Sequence, residues 1–445
     1  MRAAAAAIAC ACAAIAGAQQ ISGSLPPGLA KHGQRLVLQR TEGAAHFPVD
    51  SARVSPAGAF RFARKQWPTG YYRLGLGEDR VDLILNPREA AVVLRFDGAP
   101  LRDHLTVVQS DENRLLWENK YASRDALTQQ RRIAEQRRHL GPTDADALIR
   151  LAAQEDSVQA RLQATIDRLL RRHPGSFFAK AVRTDRAVLA AMPHGPQAIR
   201  DSMDWRDPAL VRSSVYPRAI MAILQSATPA LPHVLKNASD SILAWASPDT
   251  LCWSFARRQL IDLFATYGPE EAVQHLVDRY VTGPQSLSPP DRRLLALVAE
   301  QLKASIGSPA PDAELPSPIT GSTDRLHDLL QTHPYTLLFF YSSTCDHCHE
   351  QMAPLNALHL RYARKGLQIL GIALDASEEE FRSNIAERQL AFACYSELNG
   401  WGSAAAKAFA VRATPWLVLI GRDGRIVAKP RDAAELESLL PDLLP

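Results

Sequence analysis

The chain has 445 residues, with 51 Lys and Arg against 47 Asp and Glu, a formal net charge of +4 and 46% hydrophobic residues. That charge is too mild for a nucleic-acid partner, and no basic stripe interleaved with aromatics points to one. The length allows about three domains of ordinary size. Of the six cysteines, Cys10 and Cys12 fall in the apolar start of the chain, and the remaining four are too few for a disulfide scaffold at this length, so apolar cores must hold the fold.

Met1-Arg2 is a minimal positive start, residues 3–16 are only Ala, Ile and Cys, and Ala16-Gly-Ala18 closes the run with the small-x-small pattern of a signal-peptidase site. The run is shorter than the ~20 apolar residues of a transmembrane helix. A lipidated Cys10 or Cys12 would have too little apolar length ahead of it. Residues 1–18 are therefore predicted to be a signal peptide cleaved after Ala18. The mature chain keeps Cys252, Cys345, Cys348 and Cys394, and nothing in it reads as a transmembrane segment.

Residues 19–110 read as a small β domain, a sandwich or barrel of antiparallel strands. Arg35–Leu38, Ala59–Phe62, Tyr71–Leu74, Val81–Leu85 and Ala91–Leu94 alternate or cluster apolar residues between Gly, Pro and Asn-Pro breakers. They hold no convergent acids or histidines and no phosphate-binding glycine loop, so a binding or spacing role is expected. Residues 111–305 switch to a helical pattern. Leu148, Leu151, Val158, Leu162, Ile166 and Leu169 recur near helical spacing, and His173-Pro-Gly175 stops that helix. Shorter helices follow, punctuated by prolines including Pro208, Pro217, Pro229, Pro232 and Pro289-Pro290, with no fixed repeat. Gln130-Arg-Arg132 and Gln136-Arg-Arg138 read as a solvated helix face. Cys252, in Leu251-Cys-Trp-Ser-Phe255, reads as a small buried hydrophobe.

From 306 to 445 strands and helices alternate. Strands are predicted at 336–342, 367–373 and 392–396, helices at 346–364, 377–389, 403–411 and 433–440, and a hairpin at Gly421-Arg-Asp-Gly424. The result is a mixed sheet with helices on both faces. The first strand delivers Tyr341-Ser-Ser-Thr-Cys-Asp-His-Cys-His349 to a helix N-terminus. Unpaired N–H groups and the helix dipole stabilise a thiolate there, and the thiolate is the attacking form. Cys345, at the helix start, is the expected nucleophile, and Cys348, one turn in, resolves the mixed disulfide. His347 would favour the Cys345 thiolate as an imidazolium, while Asp346 opposes it. Half a zinc site is the alternative, but a structural site needs a second ligand pair. His327 and His333 precede the strand, and His347 with His349 would crowd ligands onto one segment. Cys394 reads as a buried strand residue, with a third redox thiol as the other possibility.

A second apolar strand follows in Val411-Arg-Ala-Thr-Pro-Trp-Leu-Val-Leu-Ile420, with Pro415 at its start, where proline is tolerated. With the dithiol and the lead-in Ile306-Gly-Ser-Pro-Ala-Pro-Asp-Ala-Glu-Leu-Pro316, this part resembles the exported TlpA/ResA-like thioredoxin-fold oxidoreductases. The resemblance implies a cis Thr414-Pro415 beside the sulfurs, presenting backbone to a peptide substrate. Three departures stand out. Phe339 occupies the place of a buried acid, Gln351 that of a Glu, and Pro354 falls one position late. The internal proton acceptor is thereby left unassigned. The whole chain resembles a three-part architecture frequent in Bacteroidetes-type bacteria: a β domain, a helical domain and a thioredoxin-like domain. The middle matches at His173-Pro-Gly-Ser-Phe-Phe-Ala-Lys180, Asp204-Trp-Arg-Asp-Pro208 and His275-Leu-Val-Asp-Arg-Tyr280.

The expected function is thiol-disulfide exchange in the periplasm or cell envelope between Cys345/Cys348 and protein thiols or disulfides. Thr414 and Pro415 shape the substrate groove, and an upstream redox partner is implied, with no cofactor or metal. Reduction of thiols for cytochrome c maturation uses the same dithiol on another client. A non-enzymatic envelope binding protein with a vestigial dithiol is the rival from another class. A peroxiredoxin shares the broader fold, but its Pro-x-x-x-Thr-x-x-Cys motif cannot be laid on Cys345.

Overall fold

The computed structural model describes residues 18–30, 34–141, 144–227 and 231–444; the apolar leader with Cys10 and Cys12, and Pro229, lie outside the described residues. The chain runs from a β-rich N-terminal part through a helical middle to a C-terminal α/β part. It packs as two compact units, one drawn from Met1–Ala227 and Trp245–Phe255, the other from Thr228–Ala244 and Ala256–Pro445. Among the described residues no helix is long and apolar enough to cross a membrane.

In the first unit the strands are β1 (Gln20–Ser24), β2 (Arg35–Glu42), β3 (Ala45–Arg53), β4 (Ala59–Arg61), β5 (Gly70–Leu76), β6 (Asp79–Leu85), β7 (Ala91–Phe96) and β8 (Leu105–Gln109). They form two four-stranded sheets, ordered β4-β1-β7-β8 and β3-β2-β5-β6. The expectation of purely antiparallel pairing needs one correction: β1 runs parallel to β7, because it enters between β4 and β7 rather than from a hairpin. Leu36 and Leu38 on β2, Tyr72 and Leu74 on β5, and Val81 and Leu83 on β6 are buried at every second position, as the pleat requires. Pro48 in β3 cannot donate to a ladder, and the β2–β3 register shifts beside it, between Leu38 and Gln39.

The helices of the middle are α1 (Asp111–Arg138), α2 (Ala145–Arg172), α3 (Phe177–Ala191), α4 (Pro196–Asp201), α5 (Pro208–Val211), α6 (Val215–Ser226), α7 (Pro232–Ala246), α8 (Thr250–Tyr267), α9 (Glu270–Tyr280) and α10 (Arg292–Leu302). Ala126 and Ile133 of α1 pack on Leu151 and Val158 of α2. A buried polar joint binds β6 to α1 and α3. Asn113 accepts from Ile84 N–H and donates to Ile84 C=O, at 2.9 and 2.8 Å. The Glu112 carboxylate accepts from Asn86 Nδ2 and from the free N–H groups of Phe177 and Phe178, at 2.7 to 2.9 Å. A carboxylate on a helix N-terminus meets both the orphan donors and the dipole. Ser176 caps the same end, so the 173–180 motif works here as architecture. Cys252 is fully buried, and burial pushes its thiol up.

The C-terminal part adds β9 (Glu314–Pro316), β10 (Thr323–Arg325), α11 (Leu326–Leu330), β11 (Tyr335–Tyr341), α12 (Asp346–Tyr362), β12 (Leu367–Ala373), α13 (Glu378–Arg388), β13 (Ala393–Tyr395), α14 (Ala404–Ala408), β14 (Trp416–Gly421), β15 (Ile426–Ala428) and α15 (Ala433–Leu443). Five strands form one sheet in the order β13-β12-β11-β14-β15. β12 is parallel to β11 and β13, and β14 is antiparallel to β11 and β15. β11 is buried on both faces. Leu337, Phe339 and Tyr341 face a core shared with α12 and α15, while Leu338 and Phe340 face one shared with α11 and α14. That double burial explains its unbroken apolar run. Helix α14 stops at Ala408, short of the predicted 411, where Ala410 turns left-handed at φ 53°.

Candidate active site

Strand β11 ends at Tyr341, and Ser342–Thr344 turn the chain into α12, with Cys345 as its N-cap residue. Cys348 N–H donates to Cys345 Sγ at 3.3 Å, and Cys345 Sγ–H faces Thr414 C=O at 3.5 Å. Both thiols are free. Cys345 is half-buried and Cys348 wholly buried, with Phe339, Met352 and Leu355 in its core. Burial first, then the contact with Cys345, pushes the Cys348 thiol up to about 12. The two sulfurs therefore stand in opposite settings. One is partly exposed and receives an N–H at a helix start, the other is dry. That is the asymmetry a nucleophile and a resolving thiol require.

The structure brings Thr414 and Pro415 to this site, and their peptide bond is cis. His347 lies on the outer side of α12. Its side chain is 83% exposed, with Nδ1 3.4 Å from Glu350, and it borders the same groove as Thr414 and Pro415. Cys394 is buried on β13 and its thiol is pushed up to about 12 by burial. Phe339, in the place of a buried acid, stacks on Tyr341 with ring centroids 5.1 Å apart. Gln351 accepts from Ala433 N–H at 2.8 Å, which gives it a capping duty on α15.

Two residues hold the turn before Cys345: Asp375, which went unremarked in the sequence, and His349, which was weighed there only as a metal ligand. Asp375 is buried just past β12. It accepts from Ser343 N–H at 2.8 Å, Ser343 Oγ at 2.6 Å and Ser342 Oγ at 3.2 Å, which fixes the turn before Cys345. His349 Nε2 donates to Ser343 C=O at 2.9 Å and locks the same turn from the helix side. The available signal was position: Asp375 follows the carboxyl end of the strand next to the one that carries the motif, where α/β sheets gather site residues.

Residues 306–429 match the AhpC/TSA family. The C-terminal part is a thioredoxin-like domain. A curated relative, the thiol-disulfide oxidoreductase ResA of Bacillus cereus, is 25% identical over 150 residues, 33% of this chain and 83% of the relative. A solved thiol-disulfide oxidoreductase from Bacteroides fragilis is 29% identical, covering 31% of this chain and 100% of its own, with a TM-score of 0.29. A solved thioredoxin-like protein from Bacteroides caccae covers 57% of this chain and 94% of its own, at 14% identity and a TM-score of 0.40.

Proposed function

We propose that the protein is a thiol-disulfide oxidoreductase of the cell envelope, exchanging electrons between the Cys345/Cys348 dithiol and disulfides or thiols of partner proteins. The single observation that supports this best is the asymmetric dithiol, with Cys345 at the helix start beside Thr414 C=O and Cys348 buried behind it. In the reducing direction the Cys345 thiolate attacks one sulfur of a client disulfide. A Cys345–client S–S bond forms, the client S–S bond breaks, and the departing client sulfur takes a proton. Cys348 gives up its proton and attacks the Cys345 sulfur, which releases the second client thiol. Two electrons pass to the client, and the protein is left with a Cys345–Cys348 disulfide. The reverse sequence oxidises a client dithiol. The envelope setting rests on the leader-like first 18 residues, and thiol reduction for cytochrome c maturation would use the same steps on another client.

The test separates the two sulfurs. In the exported protein Cys348→Ala should accumulate mixed disulfides with partner proteins, seen as high-mass bands that vanish on reduction. Cys345→Ala should trap almost none, because Cys348 is buried and its thiolate is disfavoured. Equal trapping by the two variants would overturn the assigned order, and no trapping by either would remove the exchange reading.

A further inference from the structure

Resting on that reading, we infer that the helical corner at Phe264–Glu270 forms one wall of the client-binding groove, selecting clients with a large apolar side chain beside the cysteine. A groove of about 720 Å³ runs from Ala413–Trp416 and His347 on one side to Phe264, Tyr267 and Pro269 on the other. Its floor begins at the redox sulfur, since Thr414 C=O lies 3.5 Å from Cys345 Sγ. The ladder of β14 with β11 starts only at Trp416, and among the described residues Ala413 N–H and C=O take no hydrogen bond. An extended segment can therefore pair there by strand addition, with its cysteine delivered to Cys345.

The opposite wall decides what kind of segment fits. Tyr267 is 76% exposed and Ile306 43% exposed, and both border the groove together with Phe264, Pro269 and Trp416. Large apolar side chains left open next to a binding floor mark a surface meant to be covered. The wall is held in place by one carboxylate. Glu270 accepts from Ile306 N–H at 2.6 Å and pairs with Lys429 at 2.6 Å, the two charged side chains only 19% and 12% exposed. Arg412, three residues before Pro415, is held 2.9 Å from Glu300 and 3.6 Å from Asp262. The helical wall and the Pro415 segment are thus set at a fixed distance, which lowers the ordering cost of binding a client between them. The occupant is the extended, cysteine-flanking segment of a protein client, with an aromatic or large aliphatic residue directed at Tyr267 and Ile306.

The experiment uses the full mature chain and two single-cysteine peptides carried as mixed disulfides with thionitrobenzoate, one flanked by Phe and Leu, the other by Gly and Ser. Release of thionitrobenzoate reports exchange, and anisotropy of the same peptides with Ser for Cys reports binding without chemistry. The wild type should favour the apolar peptide by roughly tenfold in kcat/KM, the scale of an interface anchor. Tyr267→Ser with Ile306→Ser, both at exposed positions, should abolish that preference through KM, weaken binding of the Cys-free apolar peptide, and leave the reaction with free dithiobis-nitrobenzoate unchanged. Equal rates for the two peptides with the wild type, or a preference that survives in the folded double variant, would overturn the inference. A wild type that releases no thionitrobenzoate from any disulfide, yet binds the Cys-free apolar peptide in a Tyr267-dependent way, would sink the exchange reading and leave the groove standing.

Discussion

Asp375 and the buried thiols govern the site at the scale of single residues. Asp375→Ala would strand the Ser343 N–H and two hydroxyls that its carboxylate now serves. An unmet buried group costs about 1–3 kcal/mol, so denaturant unfolding should show a loss in that range, with slower exchange as the turn before Cys345 loosens. Asp375→Asn keeps one acceptor and should recover most of the stability. Unchanged exchange in a folded Asp375→Ala would leave the residue with no part in holding the turn. The thiols of Cys348 and Cys394 are pushed from 9.0 to about 12. Between those values the native state keeps protons that the unfolded chain has lost, so stability is full below about pH 9 and falls as pH rises toward 12. Each thiol contributes at most about 1.4 kcal/mol per pH unit to that slope. Unfolding measured at pH 8, 9 and 10 should therefore show a decline, and Cys394→Ala should flatten it. His347 belongs to a weaker class, because its side chain is 83% exposed and already faces Glu350. An exposed ion pair is worth at most about 1 kcal/mol. His347→Ala should accordingly lower the dithiol potential by less than about 20 mV, and a larger shift in equilibration with glutathione would restore it to an electrostatic role.

Elements were legible in the sequence where burial and period agree. β11, doubly buried, and α12, started by the Cys345 cap, were both readable from their residues, and β12 lies at the residues its apolar run marks. Strands β1 and β3 left no such trace. Gln20–Ser24 buries little beyond Ile21, and β3 carries Pro48 beside a register shift with few buried positions. Their pairing is set by neighbours far along the chain, β7 for β1 and β2 for β3, which no local pattern reveals. The site divides in the same way. Cys345, Cys348 and Pro415 stand in short motifs, whereas Asp375 and Glu270 act across 32 and 36 residues of sequence through contacts that only the fold creates. The 173–180 motif was visible but not its reason, which is the Glu112 carboxylate capping α3 from α1. Glu112→Ala removes that cap and strands Asn86, so it should destabilise the first unit by about 1–3 kcal/mol in denaturant unfolding. Exchange by the Cys345/Cys348 dithiol should persist. An unaltered unfolding midpoint would show that Ser176 alone suffices as the cap.

At the scale of the second unit, the thioredoxin-like domain does not end at its own sheet. Ala304, on the helical side of residue 306, is fully buried in the core that holds Leu338 and Phe340. Glu270 ties Ile306 and Lys429, and Arg412 reaches Asp262 and Glu300. A fragment beginning at Ile306 keeps β11, the dithiol and Pro415 but gives up every one of those partners. Exchange with a small disulfide depends on the sulfurs and the helix start, so the fragment should retain it within about twofold, an energy difference below 1 kcal/mol. Preference for an apolar-flanked peptide depends on Phe264, Tyr267 and Pro269, which the fragment lacks, so that preference should disappear. The two readouts part the duties of the two segments. A fragment that keeps the preference would place specificity within residues 306–445 alone. One that folds, by circular dichroism, yet reacts with neither substrate would mean that Arg412 needs its carboxylates to hold the Pro415 segment in a working position.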